Sequence, residues 1–249
     1  MKKSIKAFFL LILISSLFCF SLSAQQTEKN IRWFTPGIPS LSAQWAFSLP
    51  FKGDVRNPAP SEDFIVAADF GELRVDSGIK YQFEQLDLTN RVIYMPTFHN
   101  AFQAGLGLTW HFYRYINVFT ENDVILSARF RWIKGPVFSF ENAFGLLFKY
   151  AVIDAIKADR AGIFNLSYQV EILCNWKLFQ RSDFWFAINL QDYFDYPLAI
   201  SPFFKLGLDY EATPGLVLGL DYSLKFVDMF FSAVYLNESI LRFTFKVVL

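Results

Sequence analysis

From residue 100 onward, hydrophobic side chains recur at every second position. In NAFQAGLGLTWHF (100–112), Phe102, Ala104, Leu106, Leu108, Trp110 and Phe112 alternate with Gln103, Gly105, Gly107, Thr109 and His111. A two-residue period puts the two sets on opposite faces of a β-strand. The same pattern runs through even positions of 124–132, 138–152, 164–178, 184–190, 200–210 and 216–226, and odd positions of 241–249. Of these positions only Asn142 and Pro202 are not hydrophobic, and none is charged, although 53% hydrophobic composition would fill only half of a random set. The other face carries Glu121, Asp123, Arg129, Arg131, Glu141, Lys149, Glu171, Lys177, Lys205, Asp209, Asp221, Lys225, Arg242 and Lys246, together with Gly105, Gly107, Gly145, Gly207 and Gly219.

The N-terminal part is less regular. Strands are predicted at 40–51, 71–84 and 89–96, and two short ones at 229–236 and 240–249 close the chain. The segment 52–63 reads as a polar loop, and 155–162 as a connection with room for a short helical turn. Three candidates before residue 100 and nine after it predict twelve strands, with ten as the alternative and eight less favoured. Three-residue turns at 134–136, 180–182 and 212–214 set a register. Arg129 then stands opposite Glu141, Glu121 opposite Lys149, and Lys205 opposite Asp221, all on the polar face.

Alternation alone does not say which face meets water. A soluble barrel or sandwich would hide the apolar face. Composition favours the opposite arrangement: only 18% of residues are charged and 19% are aromatic, with 31 Phe, against about 25% charged in soluble domains. After the first two dozen residues no apolar run is long enough for a transmembrane helix. Aromatic residues gather near strand ends as Trp110, Phe112, Phe130, Trp132, Phe138, Phe140, Trp176, Phe184 and Phe186, where a lipid-facing girdle would lie. The predicted fold is therefore all-β: a closed antiparallel up-and-down transmembrane β-barrel, with lipid outside and a charged lumen inside.

Residues 1–24 have a basic start at Lys2, Lys3 and Lys6, a short apolar run and small residues near Ala24. This is the form of a cleaved secretory signal peptide. An uncleaved anchor and a lipoprotein signal at Cys19 are the alternatives. The remaining 25–249 form one domain, with 20 basic and 23 acidic residues and a formal charge of −3. That balance excludes the basic footprint of a nucleic-acid binder. Cys174 is the one cysteine in 25–249, so no internal disulfide forms there.

The final stretch, LRFTFKVVL (241–249), places Leu241, Phe243, Phe245, Val247 and Leu249 on one face. It resembles the C-terminal strand of bacterial outer-membrane β-barrel proteins, though those strands usually end in Phe or Trp. The resemblance implies an outer-membrane location in a Gram-negative-type cell envelope. It also implies outer-membrane lipid and the barrel assembly machinery as partners.

Function follows from the polar face. A small passive, porin-like channel for small polar solutes or ions is expected, with Arg129, Arg131, Lys149, Glu121 and Glu141 facing one another across a constriction. A closed structural or surface-interaction barrel is the alternative. A barrel lipase or protease would need a base, and only His99 and His111 are available. Neither has an adjacent serine motif, and Asp192 and Asp195 read as a strand end and turn. No phosphate-cradling loop, HExxH, paired Cys/His set or calcium loop is present, so no cofactor or metal is expected.

Overall fold

In the computed structural model, residues 40–52, 59–99, 101–154, 158–193, 202–227 and 235–249 are described. They form thirteen antiparallel strands: β1 (Ser40–Lys52), β2 (Ser61–Asp69), β3 (Leu73–Gln82), β4 (Gln85–Tyr94), β5 (Thr97–His99), β6 (Phe102–Tyr115), β7 (Phe119–Lys134), β8 (Phe138–Ile153), β9 (Ala158–Phe179), β10 (Ser182–Tyr193), β11 (Pro202–Thr213), β12 (Leu216–Val227) and β13 (Tyr235–Val248). Consecutive strands pair, β1 pairs with β13, and β4 pairs with β6 over ten residue pairs. Twelve strands thus close a barrel, and the three-residue β5 lies against the start of β6. Closure leaves no unpaired edge, as a sheet in lipid requires.

Even positions of β6–β8 and β10–β12, even positions of β9 from Phe164 onward, and odd positions of β13 from Ser239 onward share the outward face. Leu106, Leu126, Phe144, Phe148, Leu206 and Phe243 are exposed on the outside, while Asp123, Glu121 and Arg129 are buried inside. A soluble sandwich has the reverse polarity, so this barrel is built for lipid. Crossing a bilayer takes about 9–11 tilted residues. β7 and β8 have 16 each and β9 has 22, so this sector projects beyond the hydrocarbon layer.

Ser42 pairs with Val248, so β1 and β13 meet at one rim, called here the near rim. Its turns are 70–72, 135–137, 180–181 and 214–215, with β5 beside them; at the far rim the ends of β1 and β2, of β10 and β11, and of β12 and β13 are separated by 8, 8 and 7 residues of chain.

Twelve strands arise, but not at the twelve predicted places. Residues 61–69, whose first three fell in the predicted 52–63 loop, form β2, where Phe64 and Val66 point out and Asp63 turns in. At the other end, 235–248 is one strand; 229–234 lie outside the described residues, as do 1–39 and Asp195. Four strands precede residue 100 and eight long ones follow. Ala158–Gly162, predicted within a connection, begin β9.

Two predicted registers are displaced by two residues. Arg131, not Arg129, stands opposite Glu141; Asp123, not Glu121, opposite Lys149; and Ser223, not Asp221, opposite Lys205. The turns cause this. Lys134 pairs with Phe138, so the turn is Gly135–Pro136–Val137, with Gly135 at φ +57°. Pro214–Gly215 forms the other, with Gly215 at φ +85°, matching Pro then Gly at the centre of a type II turn. The displacement is even, so every charged side chain keeps its face. Likewise 180–182 shortens to Gln180–Arg181, because Ser182 already pairs with Phe179.

Candidate functional site

The barrel interior concentrates the ionisable side chains. On β3, β4 and β7, Arg74, Arg91, Arg129 and Arg131 lie within electrostatic reach of one another. Asp76 takes Arg91 Nε at 2.8 Å and Arg74 Nε at 3.4 Å. Glu141 takes Arg129 Nη1 at 2.9 Å on one oxygen, and Arg131 Nε at 2.9 Å and Nη2 at 2.6 Å on the other. Arg129 Nη2 also donates to Gln169 Oε1 at 2.9 Å. Four guanidinium groups are thus held by two carboxylates on one wall. The planar fork of arginine suits such bridging.

Glycine makes room for this wall. A Cβ on Gly107 would sit 2.9 Å from Arg129 Cδ and 2.9 Å from Ser127 Oγ. One on Gly219 would meet Asp209 Oδ1 at 2.7 Å. Gly207 lies beneath the indole of Trp185, 2.1 Å from where a Cβ would be.

Toward the far rim, His111 Nε2 contacts Asp87 Oδ1 at 2.8 Å, and Lys149 Nζ lies 3.4 Å from Glu121. Lys225 approaches Glu238 at 4.0 Å and covers the ring of Phe203 at 5.1 Å. On the opposite wall, the Asn189 amide, oriented to suit its neighbours, donates to Glu171 at 2.7 Å and accepts from Lys205 Nζ at 3.3 Å.

Three cavities lie among these groups. One of about 370 Å³ is lined by Asp87, Arg91, His111, Arg129, Gln169 and Lys225. A second, about 290 Å³, is bounded by Glu171, Lys205, Asp209, Asp221, Arg242 and Lys246. At the near rim a third, of about 500 Å³, takes in Arg74, Lys177, Asp183, Asp209 and Lys246.

The predicted constriction takes a different form. Arg129, Arg131 and Glu121 are all on β7, and Glu141 and Lys149 are on the adjacent β8. They make one wall, not a ring closing across the lumen. Four further charges complete the interior: Arg74 and Asp76, which alternation already puts on the polar face of 71–84, and Asp87 and Arg91, which it assigns to no face. Their signal was present in Asp87, Thr89 and Arg91, alternating with Leu88 and Val92, but Asn90 on the outer face blurred the phase. His99 lies near the other rim from His111 and is exposed.

On the outer surface, Trp132 stacks on Phe102 at 6.0 Å and meets Phe138 edge-on at 5.5 Å, while Phe140 lies opposite Trp132 in the ladder. Phe130 lies 5.9 Å from Phe102, and Trp176 stacks on Phe184 at 5.7 Å. Phe186 and Phe138 flank the buried Cys174. These rings sit toward the near rim, and Trp110 with Phe112, 6.4 Å apart, toward the far one. Phe245 and Leu241 of β13 face the Trp45 and Leu49 positions of β1, and Leu249 exchanges backbone hydrogen bonds with Leu41.

No protein-family model and no curated protein matches the chain. Its fold is that of solved outer-membrane channels. The NanC porin superposes with a TM-score of 0.55 at 13% identity, covering 83% of this chain and 98% of that one. The KdgM porin, solved in complex with disordered oligogalacturonate, gives 0.53 at 9% identity, with the same coverage. The COG4313 outer membrane channel from Pseudomonas putida F1 gives 0.51 at 11%, covering 90% of this chain and all of its own.

Proposed function

We propose that this protein is a small passive channel of the bacterial outer membrane, admitting small polar solutes or ions. The observation that carries the reading is the arginine wall of Arg74, Arg91, Arg129 and Arg131 beside a cavity of about 370 Å³. A lumen needs polar lining, and a barrel of twelve strands is wide enough to hold more than packed side chains. In this reading the fourteen charged residues from Glu121 to Lys246 line the path. The nine aromatic residues from Trp110 to Phe186 face lipid, β13 serves as the assembly signal, and residues 1–24 are removed on export. The near rim, with the shorter turns, is periplasmic.

Single-channel recording in a planar bilayer tests this. Discrete conductance steps are expected, and Arg129→Ala should change their size and shift the reversal potential toward cations. Stable insertion without conductance would replace the channel with a closed structural or surface-interaction barrel.

A further inference from the structure

The far half of the interior holds a contact that hydrogen bonding alone does not explain. His111 on β6 and Asp123 on β7 are direct cross-strand partners, and both point inward. His111 Nε2 lies 2.8 Å from Asp87 Oδ1. An ionised carboxylate can only accept, so Nε2 carries a proton, and in the neutral ring Nδ1 then presents a lone pair. That lone pair faces Asp123 Oδ2 at 3.6 Å. Asp123 is completely buried, and neither of its oxygens makes a hydrogen bond; His111 Nδ1 makes none either.

Two buried acceptors aimed at each other repel unless positive charge lies between them. Lys149, opposite Asp123 in the ladder, lies 3.4 Å from Glu121, and Lys80 stands opposite Asp87. Glu121 brings a third donor: its carboxylate, Asp123 and His111 have ligand atoms all within 4.8 Å of one another.

We propose that His111 Nδ1, Asp123 and Glu121 bind one divalent transition-metal ion, best matched by Zn²⁺. Tetrahedral zinc with bonds near 2.0–2.1 Å places neighbouring ligand atoms about 3.3 Å apart, close to the 3.6 Å between Nδ1 and Oδ2. A nitrogen donor favours zinc over the all-oxygen preferences of Ca²⁺ and Mg²⁺. Asp87 supplies the outer carboxylate that fixes tautomer and ring orientation in histidine–metal sites. His111 and Asp87 also line the 370 Å³ cavity, so the fourth position falls to water or a solute group there.

The test uses the untagged full chain, refolded in detergent, stripped with EDTA and titrated calorimetrically with ZnCl₂. One Zn²⁺ per chain is expected. Asp123→Asn and His111→Gln should weaken binding more than tenfold, Asp87→Asn by about 10–100-fold, and His99→Gln not at all. Zinc-edge absorption on the wild type needs no variant to fold, and should show one imidazole and otherwise oxygen neighbours. Absence of binding would mean that a proton occupies Nδ1 instead. A sulfur neighbour from Cys174, or full binding by both the Asp123 and His111 variants, would equally overturn the site.

Discussion

Glu141 is the residue on which the arginine wall depends most. It receives three charge-assisted hydrogen bonds, two at 2.9 Å and one at 2.6 Å. Its side chain is 14% exposed, against 5% for Arg129 and 19% for Arg131. Glu141→Ala removes the only carboxylate bonded to either guanidinium among the described residues. Arg129 would keep Gln169 at 2.9 Å, and Arg131 would keep a marginal contact to Gln103 at 3.5 Å. Removing one partner of a buried pair costs about 3–5 kcal/mol, because the remaining charge stays desolvated. Arg131→Met should cost less, about 1.5–3 kcal/mol, because Glu141 keeps Arg129. The double variant should cost less than the sum, since it removes one of the stranded cations. Urea unfolding in lipid vesicles, followed by tryptophan fluorescence, measures all three. Glu141→Ala within about 1 kcal/mol of wild type would place the trio in the class of solvated surface pairs and refute the reasoning.

Other perturbations test the faces and the register. Leu126→Arg, at the middle of β7 on the outer surface, should cost about 2–4 kcal/mol in the same assay, as a lipid-facing arginine does at midplane; a neutral result would remove lipid from that face. Gly207→Ala should push the Trp185 indole aside, read as increased quenching of its fluorescence by iodide. In a Cys174→Ser background, a Phe130→Cys/Asn142→Cys pair should oxidise to a disulfide and a Phe130→Cys/Phe140→Cys pair should not, because Phe130 stands opposite Asn142. Cys174, buried between Phe138 and Phe186, should resist maleimide in the folded barrel and react once unfolded.

Much of this molecule is legible from side-chain alternation. A period of two depends only on backbone geometry, so Leu106 and Leu126 are separable from Arg129 and Asp123 without any tertiary information. The twelve predicted strands do not include β2, because Ser61, Glu62 and Asp63 continue the polarity of the loop before them. They also divide the C-terminal stretch at 236/240, where Tyr235–Val248 is one strand. The registers differ by two because the turns that hold left-handed Gly135 and Gly215 lie further along the chain than the 134–136 and 212–214 triplets.

Sequence by itself determined the polarity of this barrel, because each strand sorts its own side chains and an even slip leaves the sorting intact. Tertiary structure alone decided which charges meet. Glu141 holds both Arg129 and Arg131 because β7 and β8 settle into one register. His111 meets Asp87 and Asp123 because β6 pairs with β4 on one side and with β7 on the other. Those contacts span 24 and 12 residues of chain, and local spacing carries no record of a distance that only the closed sheet sets.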